Sequence, residues 1–201
     1  MENIFQEYGV GIVSGLVLLL IFIALLAYSG LFVHIKVMMY RKPVGRLRVA
    51  YLYATGPYKD CGPLFGRVSR HAPHHRTLGI YYDDTETTAA SKLRYLVAAV
   101  LSEDDALESD DGMVEERLVK DGFRITEFPA IQRAVGTEFP FPWFISIFIA
   151  IFRVYPKLHR VIKKEGLHVG PCLELYDSAK IRFILPLTDH DAFFVPEFHR
   201  A

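Results

Sequence analysis

The sequence predicts an α+β fold carried behind a single transmembrane helix. Three observations carry this. Tyr8 to Val33 contains no charged side chain. The rest of the chain alternates strand-like runs with helical stretches, each punctuated by Gly or Pro. The order strand, helix, strand, strand occurs twice, as in an internal duplication, and two such units pair into one curved antiparallel sheet backed by helices.

Residues 8–33 come first. A spanning helix needs ~20 apolar residues to cross ~30 Å of hydrocarbon, so this segment crosses with some tilt. The preceding residues 1–7, MENIFQE, contain Glu2 and Glu7 but no Lys or Arg, whereas a cleaved signal peptide wants a positive start. Ala27-Tyr28-Ser29 keeps a weak cleavage site open as the alternative. Lys36, Arg41, Lys42, Arg46 and Arg48 all follow the segment. Positive charge stays on the cytosolic side, so residues 1–7 are expected in the lumen and everything after His34 in the cytosol. Residues 34–45, HIKVMMYRKPVG, read as a basic juxtamembrane linker.

Residues 46–199 read as the cytosolic domain. Arg46 to Tyr53 is a strand ended by Gly56-Pro57, and Cys61 to His71 forms a short helix. Thr77 to Asp83 and Leu93 to Leu101 are strands, followed by the acidic run Asp104 to Asp111. Met113 to Lys120 is a helix that Gly122 can cap, and Phe123 to Phe128 a short strand. The pattern then repeats. Ala130 to Phe139 is a strand, and a helix begins at Trp143, is kinked or split by Pro156, and ends at Glu165 before Gly166. Cys172 to Tyr176 and Ile181 to Leu185 alternate as a hairpin around Asp177 to Lys180. Overlaying the two hairpins equates Tyr82 with Tyr176, and the face of the sheet away from the helices is a natural groove between the halves. Trp143 to Phe152, WFISIFIAIF, is apolar all round and too short to span a bilayer. It is either a core helix or a helix that leans on the membrane surface.

Composition narrows the function. The net charge is zero, but His34 to Arg76 holds nine Lys and Arg against one acid, Asp60. That block sets topology, and a domain that is not basic overall is a poor nucleic-acid binder. Cys61 and Cys172 make neither a disulfide framework nor a ligand set. Pro73 interrupts the cluster His71, His74 and His75, which reads as a polar loop. With no metal set, no cofactor motif and no nucleophile–base pair, no catalytic residue is assigned and no enzyme is expected.

The segments YSGLF, IYYDD, VAAVLSE, GFRITEFPA, RVYPKL, LELYDSAKIRFILPL and FFVPEF, in that order, cover nearly the whole chain. As a set they resemble the gyrase-inhibitor-like (GyrI-like) domain family and, within it, the testis-expressed reticulum-phagy receptors. The resemblance implies a single-pass protein of the endoplasmic reticulum membrane, also reaching autophagosome membrane and nuclear envelope, with a cytosolic GyrI-like domain. It implies partners of two kinds: ubiquitin-like autophagy modifiers, and a hexameric unfolding ATPase recruited to protein–DNA adducts. It further implies an acidic, disordered tail with an aromatic-x-x-aliphatic motif that adds as a strand to the modifier. The sequence here ends at Ala201; its internal matches, Phe65 to Val68 and Phe128 to Ile131, fall in predicted folded structure.

One candidate ligand site follows. Glu174 interrupts the apolar strand Cys172 to Tyr176, on the face that Leu173 and Leu175 do not use. In bacterial drug-binding relatives a glutamate on the corresponding strand pairs with cationic ligands among aromatic rings. The resemblance therefore implies a groove at Glu174, with Tyr176, Tyr81 or Tyr82, Tyr51 and Tyr53 as the rings. The alternative is a solvated strand, with Glu174 paired to Arg182 across the hairpin.

Overall fold

The computed structural model describes residues 2–107 and 113–199. Its first element, α1 (Glu2–Tyr28), is one uninterrupted helix. Val10–Tyr28 is long and apolar enough to cross a membrane, and its large side chains from Val10 to Leu25 are exposed.

The strands are β1 (Met38–Val44), β2 (Leu47–Thr55), β3 (Thr77–Tyr81), β4 (Arg94–Glu103), β5 (Ala106–Leu107), β6 (Arg124–Phe128), β7 (Ile131–Pro140), β8 (Cys172–Tyr176) and β9 (Lys180–Pro186). The further helices are α2 (Gly62–His71), α3 (Val114–Lys120) and α4 (Ile145–Glu165). Among the described residues the strands form one antiparallel sheet, in the order β1-β7-β9-β8-β3-β4-β2-β6, with β5 beside β4. The α+β class and the doubled unit expected above are both present: β2-α2-β3-β4 and β7-α4-β8-β9 meet where β3 pairs with β8.

The overlay of the two hairpins needs a correction of one residue. Gly79 lies opposite Glu174, so Tyr81 and Tyr176 stand two residues beyond the meeting point on their own strands. Tyr81, not Tyr82, is the counterpart of Tyr176. A slip of one residue moves a side chain to the other face, which decides the site below.

The helices α2, α3 and α4 cover one face. On that side α4 packs over Phe139, Ile181 and Phe183, while Val68 of α2 and Leu118 of α3 pack over Val97 and Ala99. The opposite face, expected as a groove, is instead packed apolar. Leu78, Ile80, Leu173, Leu175 and Ile184 meet Phe193 and Val195 from the chain's last turns.

Two further expectations change. Pro156 does not split α4, since the helix continues to Glu165. Pro156 is exposed, so the backbone group it leaves unpaired can meet water. Residues 34–45, expected as a linker, contain β1, which pairs with β7 from Met38↔Gly136 to Val44↔Ile131. Of the acidic run, Asp104 and Asp105 form a left-handed turn after β4, with Asp104 accepting from the Arg46 amide at 2.9 Å, while 108–111 lie outside the described residues.

The end of α1 is bolted to the domain. Ser29 is fully buried; its hydroxyl donates to the Leu25 carbonyl at 2.7 Å and accepts from the Trp143 indole. Arg153 of α4 donates to the Gly30 carbonyl at 2.8 Å, and Thr137 of β7 to the Lys36 carbonyl at 3.0 Å. Gly30 sits at φ +100°, and a Cβ there would lie 2.6 Å from the Phe139 ring. Only glycine allows both that turn and that approach.

Candidate functional site

Strand β8 is buried along its whole length, on both faces, and Glu174 in its middle is only 4% exposed. Its carboxyl points up beneath the helices. From α4 above, Tyr155 donates its hydroxyl to one carboxylate oxygen; from two residues along β8, Tyr176 donates to the other. Tyr81 on β3 lies close enough to add a third hydrogen bond. Gly79 makes room: a Cβ there would meet the Tyr81 ring at 3.1 Å and Phe65 at 3.3 Å.

The enclosure is aromatic. Phe65 of α2 and Phe141 stand edge-on to Tyr176, with ring centres 5.2 and 5.6 Å away. Tyr155 stands edge-on to Phe183 at 5.7 Å, and Tyr58 to Tyr81 at 4.9 Å. Both thiols border the cluster, with Cys172 Sγ 3.7 Å from the Tyr155 hydroxyl and Cys61 Sγ 3.8 Å from that of Tyr81.

Burial drives the electrostatics. Loss of water pushes the Glu174 pKa up, and the hydrogen bonds from Tyr155, Tyr176 and Tyr81 pull it only part of the way back. Burial and the neighbouring carboxyl together hold Tyr81, Tyr155 and Tyr176 well above the usual phenol range. Cys172 is raised for the same two reasons. The group is thus a carboxyl held by hydroxyls, with no basic neighbour among the described residues offsetting its charge. Such a group attracts a cation, but the rings already fill the space a cation would take. Two cavities among the described residues lie elsewhere. One of about 140 Å³ is lined by Tyr40, Pro43, Glu138 and Arg182, and one of about 470 Å³ by Arg70, His71, His74, His75, Arg117 and Asp121.

The structure divides the aromatic residues expected from the sequence. Tyr81 and Tyr176 join Glu174. Tyr51, Tyr53 and Tyr82 do not: they lie on the opposite face, Tyr51 and Tyr53 from β2 and Tyr82 just past β3. There the Tyr51 hydroxyl donates to Glu197 at 3.0 Å, Tyr82 donates to the Phe193 carbonyl at 3.1 Å, and Tyr53 packs against Tyr82. Arg182 does not pair with Glu174 either. It sits opposite Leu175, on the face away from the carboxyl, and donates to the Pro43 carbonyl at 3.2 Å. Tyr155 was not foreseen. Its signal is its place beside Val154 and Leu158 on the buried stripe of α4.

These features define a class: an α+β domain with a closed, tyrosine-held carboxyl, borne on a long apolar helix. No family model matches the chain. Over the part they share, the chain is similar to testis-expressed protein 264, in line with the quoted segments. It is 34% identical over 189 residues to testis-expressed protein 264 of Homo sapiens and 37% identical over 174 residues to its Mus musculus homologue, covering 93% and 87% of this chain. The chain spans 60% and 56% of the length of these curated relatives. Among solved structures it is similar to the EcmrR C-terminal domain, with TM-score 0.46 and 17% identity over 76% of this chain and 96% of that one. It is also similar to an uncharacterized conserved protein from Listeria innocua, with TM-score 0.48 and 11% identity over 75% and 91%.

Proposed function

We propose that the chain is a membrane-anchored adaptor of the endoplasmic reticulum whose GyrI-like domain works at the cytosolic face in reticulum-phagy. Similarity to testis-expressed protein 264 is the observation that carries this reading. The apolar α1 supplies the anchor, and the bases that follow it favour a lumenal N-terminus. Autophagy modifiers and an unfolding ATPase are the proposed protein partners, and the role involves no catalytic step. Proximity labelling from the full chain in cells should recover reticulum-phagy components or the ATPase. Recovery of lumenal proteins alone would overturn both topology and role.

A second reading has its own support in the buried carboxyl of Glu174, which accepts from two tyrosine hydroxyls. Here the domain senses a lipophilic cation that displaces the Tyr155 ring. A panel of lipophilic quaternary cations should then raise the melting temperature of the full chain, and Glu174→Gln should abolish that rise. No shift with any member of the panel would remove this reading.

A further inference from the structure

The helix α4 has two kinds of surface. Ser146, Ile149, Ala150, Val154 and Leu158 are buried. The opposite side of its first half is as apolar as its core side, yet none of the described residues covers it: Phe144 is 62% exposed, Phe148 56%, Ile151 46% and Phe152 79%. Positions 144, 148, 151 and 152 fall on one helical face. Scattered exposed apolar residues are ordinary, but four contiguous large ones mark an interaction surface.

The position of this face names its occupant. Trp143 and Arg153 are ten residues apart, ~15 Å along a helix. They bond to adjacent residues, Ser29 and Gly30, where α1 ends. This half of α4 therefore passes across the end of α1 instead of leading away from it. Trp143 and Tyr28 lie at that level, and such rings favour the boundary between hydrocarbon and water. Phe32, 70% exposed, adds to the apolar rim two residues on. Charge agrees: between Ile145 and Lys164 the helix has Arg153, Lys157, Arg160, Lys163 and Lys164 and no acid. A helix with one apolar face and basic residues beyond it suits a surface with anionic headgroups.

We propose that Phe144, Phe148, Ile151 and Phe152 insert into the headgroup–acyl boundary of the membrane that α1 crosses. The inference rests on the reading of α1 as membrane-spanning. The domain is then clamped flat on the bilayer at two points, not hung from one.

Trp143 is the only tryptophan, so a movable reporter is at hand. In a Trp143→Phe background, Phe152→Trp, Phe148→Trp and Leu19→Trp are introduced one at a time. Each full-length variant is reconstituted in vesicles of phosphatidylcholine and phosphatidylserine, with or without bromine on the upper acyl chain. Bromines should at least halve the emission at 152 and 148, as at 19 inside α1. Quenching at 19 without quenching at 152 or 148 overturns the second contact and leaves the anchor standing. Blue-shifted but unquenched emission at 152 and 148 means that protein covers the face, a partner or a second copy, and overturns the proposal equally. Absence of quenching at all three positions removes the membrane reading and this inference with it.

Discussion

Replacing Tyr155 by Phe removes one hydroxyl from the roof of the Glu174 site and leaves the ring in place. Above the raised native pKa of Glu174, where its carboxyl is ionised, the lost bond runs to a carboxylate with few other partners. A hydrogen bond to a charged group contributes about 1.5–3 kcal/mol, against about 1 kcal/mol for a neutral pair. In a domain of this size that larger loss lowers the melting temperature by roughly 3–12 °C. Near-ultraviolet circular dichroism of the full chain in detergent micelles follows it, because α1 holds only Tyr8 and Tyr28 of the eleven tyrosines and no tryptophan. Glu174→Gln supplies the control. Tyr155→Phe in that background should cost only about 1 kcal/mol, since the acceptor is neutral. An equal loss in both backgrounds would refute the assignment of Glu174 as the charged acceptor.

Further expectations follow from the same geometry. The Glu174 carboxyl binds its proton more tightly folded than unfolded, so its contribution makes stability fall as pH rises from the ordinary 4.5 towards the raised native value. Chemical denaturation across that window should show Glu174→Gln with a flatter slope than the parent; identical slopes would contradict the burial of the carboxyl. Gly136→Ala would set a Cβ on the Phe183 carbonyl and force β7 from β9, at a cost on the order of 4 kcal/mol or more, visible as loss of the cooperative thermal transition. Asp83 grips Arg94 through the backbone amide and guanidinium, at 2.6 Å each, so Asp83→Asn should cost about 1.5–3 kcal/mol in a urea titration. Burial raises both thiols, so iodoacetamide at neutral pH should modify Cys61 slowly and Cys172 only after unfolding, as mass spectrometry would show.

Much of this architecture is legible in the residues themselves. The charge-free run to Val33, the left-handed stops at Gly122 and Gly166, and the alternation of Leu173 and Leu175 against Glu174 each announce a local structure. What stays hidden depends on pairing. MMYRKPV looks like a linker because its strand partner, β7, lies far along the chain. The choice between Tyr81 and Tyr82 turns on one residue of register, which only the pairing of Gly79 with Glu174 supplies. The site around Glu174 is only half readable for the same reason. Tyr176 follows from the strand's own period, whereas Tyr155 comes from a helix whose rotation over the sheet is set by tertiary packing. The burial of Glu174 is likewise a property of layers, since its strand alone cannot say whether a helix or water lies above it.

The pairing of β1 with β7 also orders events on the ribosome. Tyr40 leaves the exit tunnel soon after α1, but its partner Ala134 is translated roughly 5–20 s later. In that interval the nascent chain has an unpaired strand held close to the end of α1. The sheet can close only after its second half has been made. A ribosome stalled before residue 131 would therefore leave β1 bare, a sticky edge suited to capture by chaperones.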